Sequence, residues 1–361
     1  MQADIFLKTL LDLLALDAPT GHEEHVATYI LNYLISLGFS AKKDTHGNVI
    51  GSLQGTGNAL LLCAHMDRVP PGRGHTPVRD GDILKSDGTT NLGVDDAGGI
   101  AIILEAVSYI VRNRIPHPTI VLAFTVGEEV GLRGARAIDL SAYPIEWGIV
   151  YDNGTEAGSM VGSGATYEGF DVEIIGKANH PAKDLSQSIN ALQIFMEIDW
   201  MIGLSDDNKS RINIGLISGG TARNVVPGNL KVQGELRSIL NDSEVAAKLK
   251  KIEENIKIVC NKYGATHTFT NDRHFSSYSV DLSEPLVQVY KNVVESKGRN
   301  FVTQSTYIGS DTSALRGEKG IKVFTISTGV VHEHTKDEWV KISDLVMLTE
   351  DLVDVIKKLK K

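Results

Sequence analysis

Cysteine is nearly absent: there are two in 361 residues, Cys63 in an apolar run and Cys260 in a helical pattern. That excludes a disulfide framework and a thiolate metal cage, so any bound metal must use histidine and carboxylate ligands. Clustered lysine and arginine are missing too. With 45 acidic against 36 basic residues and a formal net charge of -9, the chain offers no basic surface for nucleic acid or an anionic membrane. A small molecule or a short peptide is the partner that fits. No apolar run is long enough to span a bilayer. The stretch Ile5-Phe6-Leu7-Lys8-Thr9-Leu10-Leu11-Asp12 carries charges inside its apolar pattern and has no basic leader, so it reads as an amphipathic helix and not as a signal peptide. The cytoplasm is the expected location. Neither an internal repeat nor a low-complexity segment occurs. What is present is core material, 42% hydrophobic residues, on a length that suits two domains better than one.

The chain is arranged around Val121-Leu122-Ala123-Phe124-Thr125-Val126, a continuous apolar run that reads as a strand buried on both faces, followed at once by Gly127-Glu128-Glu129. Adjacent carboxylates belong just beyond the strand's carboxyl end, where open α/β sheets gather ligands, and they repel unless a cation or proton lies between them. The pattern recurs. Ala59 to Ala64 is another buried strand and ends on His65-Met66-Asp67; Trp147 to Tyr151 ends on Asp152; Val94-Asp95-Asp96 opens an apolar helix running from Ile100 towards Val111. Earlier, Thr20-Gly21-His22-Glu23 has the form of a capping box for a helix that Gly38 stops. From about Tyr167 the periodicity changes to two, as in Asp171-Val172-Glu173-Ile174-Ile175. A helix from Ile189 to Leu204, strands near 212–217, 230–236 and 267–270 and a long helix from Glu244 to Tyr263 then complete an α+β unit. The chain returns to the first pattern with a helix from Leu286, a strand at 321–326, the pair His332 and His334, and a closing helix from Leu345 to Leu359. The expected division is residues 1–165 and 278–361 for one domain, with 166–277 inserted in it.

Each signal has a plain alternative. His65 reads equally as a satisfied core histidine, Glu128-Glu129 as a solvated turn, Asp95-Asp96 as helix caps and Asp152 as the start of a turn. Their joint placement on one rim of one sheet selects a common purpose. Imidazoles and carboxylates suit zinc, and a bridging carboxylate holds two cations roughly 3.5–4 Å apart in hydrolytic centres. His65, Asp95, Glu129, Asp152 and His334 supply five ligands. Glu128 is left over as a general base, and Asp67 can fix the tautomer of His65.

Almost the whole chain resembles the zinc aminoacylase and peptidase superfamily, and within it the peptidase T group of tripeptide aminopeptidases. The runs that carry the likeness are Ala64-His65-Met66-Asp67, Gly93-Val94-Asp95-Asp96-Ala97-Gly98-Gly99, Gly127-Glu128-Glu129-Val130-Gly131, Tyr151-Asp152-Asn153-Gly154 and His334-Thr335-Lys336-Asp337-Glu338-Trp339. The resemblance implies an α/β catalytic domain of three layers and an inserted α+β, ferredoxin-like lid that also dimerises. It implies two zinc ions, replaceable by cobalt or manganese: one on His65 and Asp152, the other on Glu129 and His334, with Asp95 bridging. His332 lacks the family's spacing to Glu338 and reads as structural. A cis peptide between Asp95 and Asp96 is also implied. In the lid, His180 would stabilise an oxyanion, in its own or a partner subunit. Asn224 would bind substrate, as would Asp311 on a loop near the site, and Arg237 would face a substrate carboxylate or pair within the sheet. The activity implied is tripeptide hydrolysis; acylamino-acid deacylation, dipeptidase or carboxypeptidase action, and a non-catalytic metal-binding scaffold are the alternatives. Two departures bear on peptide preference. Ala97 stands where the group usually has lysine, and Ala182-Lys183-Asp184-Leu185 replaces small residues.

Overall fold

The computed structural model describes residues 3–152, 154–205 and 207–359. Asn153, part of the fourth run above, lies outside the described residues. The chain divides into two compact units, one of residues 1–163 and 279–361 and the other of residues 164–278.

The first unit is a mixed α/β structure built on a nine-stranded sheet. One of its inner strands is Pro118–Thr125, all eight residues of which are buried. It lies parallel to Thr56–His65, which in turn lies parallel to Ile145–Tyr151, so that Leu122, Leu62 and Ile149 stand side by side. Val323–Ile326 adds a fourth parallel strand. Strands covered on both faces need apolar residues at every position, which is why these runs do not alternate. Antiparallel strands flank the parallel core, Val49–Leu53 on one side and Met160–Gly164 on the other. Helix Val94–Arg112 packs on Thr56–His65 and Ile145–Tyr151 and against the helices Ala3–Leu14 and Ile342–Lys358. A small third sheet joins Pro77–Asp80, Ile83–Ser86 and Trp339–Lys341. Strands of three and four residues leave no readable period, so no local pattern announces it.

The second unit is an antiparallel five-stranded sheet in the order Gly203–Leu204, Ser210–Gly219, Asn229–Ser238, Thr166–Ile175 and Thr266–Phe275. Alternation sorts its faces: Phe170, Val172 and Ile174 join Val232, Leu236 and the helix residues Val245, Leu249, Ile252 and Ile256 in one core. Asp171 and Glu173 face the other way and pair with Gln233 and Asn229. Helix Asp242–Tyr263 begins on a capping box between Asn241 and Glu244 and ends on Gly264 at φ 70.

Two local expectations fail. The helix expected from Ile189 to Leu204 is only Ala191–Glu197; Met201 turns through a positive φ of 56 and Gly203–Leu204 joins the sheet. Ile198 and Trp200 stay buried on either side of exposed Asp199, satisfying the apolar pattern in extended form. Thr20 and Glu23 form no capping box: helix Glu24–Ser36 has no side-chain cap. Both side chains are drawn under the strand ends instead, as described next. Among the described residues, no helix is long and apolar enough to cross a membrane.

Candidate metal centre

His65 is the last residue of its strand and is 3% exposed. Its Nε2 lies 3.3 Å from Asp95 Oδ1, and its Nδ1 lies 3.0 Å from the carbonyl oxygen of Asp67 and 3.5 Å from the Asp67 carboxylate. Burial acts to lower its pKa, but the Asp67 and Asp95 bonds and the charge of Glu128 outweigh it, and the ring is held well above its ordinary value. Asp95 stands two residues beyond Gly93, which is at φ 75, and the Asp95–Asp96 peptide is cis, as the resemblance implied. Asp96, buried beneath, accepts the backbone N–H of His65 at 3.2 Å and of Gly99 at 3.0 Å. Asp96 thus caps the helix start, the alternative named for the acidic pair, and ties it to the strand end.

Glu128 and Glu129 lie in a short helical turn between Gly127 and Gly131, both of which adopt positive φ. The turn is fastened by Asp67, which accepts the N–H groups of Glu128 at 2.9 Å and Glu129 at 3.3 Å and the Thr20 hydroxyl at 2.9 Å. Glu23 accepts the N–H of Gly127 at 3.2 Å. Burial would raise the Asp67 pKa, but His65 and these donors hold it below the usual carboxylate range. Glu128 moves the other way: burial, with Asp152, Asp311 and Glu129 nearby, raises its pKa.

His334 arrives from the far end of the chain, at φ 65. Its Nε2 is 2.9 Å from Asp95 Oδ2 and 2.9 Å from Glu129 Oε1. One N–H cannot serve both; it is aimed at Asp95, and the buried Glu129 Oε1 has no hydrogen-bond partner. The hydrogen bond with Asp95 and the Glu129 carboxylate beside the same nitrogen push the His334 pKa up to about 10. Ligand-type atoms within 4.8 Å of one another form the sets His65, Asp95, Asp152 and Asp95, Glu129, His334, with Asp95 common to both; His65, Glu128 and Glu129 form a third. Four carboxylates and two imidazoles crowded together, one carboxylate oxygen sealed without a proton donor, fit divalent cations in place of the imidazole protons. These residues line a cavity of about 280 Å³ whose wall also includes Gly154, Ile308, Gly309 and Glu333.

The other expected residues have different surroundings. Asp311 does not line the cavity: it is 1% exposed, with its carboxylate accepting from the Thr125 hydroxyl and the Cys63 thiol. The signal that could have placed it is the polar Thr125 inside an otherwise apolar strand, which needs a buried partner. In the inserted unit, Arg237 pairs with Glu235 at 3.3 Å and lies 4.5 Å over the Tyr167 ring, the within-sheet alternative named above. Asn224 sits in an exposed turn. His180 is exposed, and its Nδ1 accepts the Ala182 N–H at 3.1 Å, which assigns the ring proton to Nε2.

An α/β sheet whose strand ends collect these groups around one cavity, with an α+β unit inserted, defines a class of hydrolases acting on peptide bonds. The chain belongs to the peptidase family M20/M25/M40, whose pattern matches residues 61–358. Over 100% of both chains it superposes on the aminopeptidase PepT of Bacillus cereus with a TM-score of 0.94 at 26% identity. A tripeptidase of Staphylococcus aureus gives a TM-score of 0.94 at 26% identity, with 99% of this chain and 98% of that one covered. The Bacillus subtilis protein YqjE is 29% identical over 98% of this chain and 97% of its own length.

Proposed function

We propose that the chain is a dinuclear zinc-dependent exopeptidase hydrolysing short peptides, most specifically a tripeptide aminopeptidase. The observation that carries this is Asp95, shared by two sets of ligand atoms with Glu128 beside them. The likeness to a PepT aminopeptidase and a tripeptidase over the full length supports the choice of substrate. His65 and Asp152 would hold one cation, Glu129 and His334 the other, and Asp95 would bridge them. Two bound cations, zinc with cobalt or manganese able to replace it, would polarise the scissile carbonyl and bring the pKa of water towards ~7.

The rest is done by side chains. Glu128, its pKa raised by burial, takes the proton of the attacking water and returns it to the leaving amine. Asp67 orients His65 and fixes the turn that aims Glu128. His180, protonated on Nε2, donates to the oxyanion from its own or a partner subunit. Asn224 binds the peptide, and Arg237 meets a substrate carboxylate in exchange for Glu235. Asp311 supports Thr125 at the strand end in place of contact with substrate. A homodimer through the inserted unit is supported by its edge: Ser210–Gly219 is paired on its outer side only over Arg211 and Ile212, leaving Leu216 and Ile217 about half exposed. The cytoplasm is the proposed location.

A panel of di-, tri- and N-acetylated peptides with added zinc, cobalt or manganese tests the reading. Cleavage confined to free-amine tripeptides supports it. Cleavage of acylated amino acids assigns the same site to a deacylase; metal binding without any cleavage leaves a scaffold. Glu128→Gln should bind both cations and lose about 10²–10⁴ in kcat. Light scattering at micromolar concentration tests the dimer.

A further inference from the structure

The carboxylate of Glu338 is 1% exposed and accepts four consecutive backbone N–H groups. Oε2 takes those of Leu92 at 2.8 Å and Gly93 at 3.0 Å, and Oε1 takes those of Val94 at 3.0 Å and Asp95 at 3.2 Å. These amides form the start of helix Val94–Arg112, which has no side-chain cap of its own. Donors at a buried helix start need acceptors, and an anion is the strongest available. Here it comes from more than 240 residues away.

Glu338 also closes the loop that carries His334. Its N–H donates to the carbonyl of Thr335 at 3.3 Å, and its own carbonyl accepts the N–H of Ser86 at 3.0 Å. Trp339–Lys341 then pairs with Ile83–Ser86, and Val331 pairs with Trp339 across the mouth of the loop. The residue that grips the backbone of Asp95 is therefore anchored in the same turn that presents His334. The two side chains it relates are those found 2.9 Å apart. The space around the gripped segment is tight: a Cβ on Gly93 would fall 2.9 Å from the Arg68 side chain and 3.0 Å from His75.

We infer that Glu338 is the positioning residue of the metal centre, fixing the Asp95 backbone against the His334 loop so that the two ligands are in register before any cation arrives. It touches no substrate and supplies no ligand. The inference rests on the dinuclear reading above and adds to it where the preorganisation of that centre resides.

The test is metal binding, not turnover. Glu338→Gln keeps the size but offers one acceptor oxygen, and turns an N–H₂ group towards two of the four backbone donors; Glu338→Asp is one methylene short of them. Metal-stripped protein is titrated with zinc by calorimetry and with cobalt by visible absorption, well below the unfolding temperature. Both variants should bind cations 10–100-fold more weakly than wild type, with the cobalt spectrum altered. A merely structural role would lower the Tm and leave the affinities and spectrum unchanged, and that result overturns the inference. Hydrogen exchange on metal-stripped wild type serves if the variants do not fold. Amides 92–95 as protected as the helix behind them support preorganisation; amides that exchange freely until zinc is added overturn it. A wild type that binds no second cation would sink the dinuclear reading itself, so the two failures are distinct.

Discussion

A single carboxylate, Asp67, connects the histidine of one strand to the paired glutamates of the next. It faces His65 Nδ1 and accepts three further donors, from Thr20, Glu128 and Glu129. An anion satisfies these three donors and suits the nearby imidazole, whereas an amide in its place must turn an N–H₂ group towards some of them. Asp67→Asn should therefore lower metal affinity or kcat/KM about 10–100-fold with little change in fold, measured by metal titration beside circular dichroism. A variant with wild-type affinity and turnover would remove Asp67 from the site. The same arithmetic explains His334. Raised to about 10 by two carboxylates, it would give up its proton on binding the proposed cation.

At the level of elements, the helix Pro285–Ser296 is locked to Ile342–Lys358 through one buried charge. Asp351, fully buried, takes Arg299 Nη2 at 2.6 Å on both oxygens and Lys297 Nζ at 2.9 Å. Arg299→Met should cost about 3 kcal/mol in urea unfolding, because it leaves a buried carboxylate with half its partners. Lys297 also meets Asp354 at 2.9 Å. Burial works against the charge on Lys297, but its two aspartates raise its pKa; burial likewise opposes the charge on Asp354, but Lys297 and Lys357 lower its pKa. The signs set a window. The depressed carboxylate contributes stability above its unfolded value of about 3.9 and loses it as pH falls through the folded one; the raised lysine contributes below about 10.4 and loses it as pH rises further. The stability difference between wild type and Lys297→Met should be flat from about pH 5 to 9 and shrink at both extremes. A difference that peaks inside that range would contradict the pairing.

For the molecule as a whole, the proposed cations join distant parts of the chain: four candidate ligands lie between residues 65 and 152 and the fifth is His334. A ligand that binds only the folded state at a hundred times its Kd stabilises by about 2.7 kcal/mol. Chelator treatment should accordingly lower the Tm, and zinc should restore it. His334→Ala should lose part of that recovery in calorimetry; a Tm indifferent to zinc would show that the five groups do not act together.

The carboxyl ends of the apolar strands marked the candidate site because charges cannot remain inside a sheet covered on both faces. Runs such as Pro118–Thr125 and Thr56–His65, and the change to period two at residue 171, were readable because burial acts on every residue of a strand in the same way. The capping at 20–23 and the helix at 189–204 were misread because local pattern cannot see a competing partner: Thr20 bonds Asp67, 47 positions away, and the segment after Glu197 satisfies its burial as extended chain. Sequence by itself determined the long buried strands, the candidate ligands and the insertion, all consequences of local hydrophobic pattern and residue chemistry. Only the tertiary structure decided that Asp311 is sealed under Thr125, that Asp67 holds the glutamate turn and that Glu338 grips residues 92–95, because each depends on a hydrogen bond between groups that the chain itself keeps far apart.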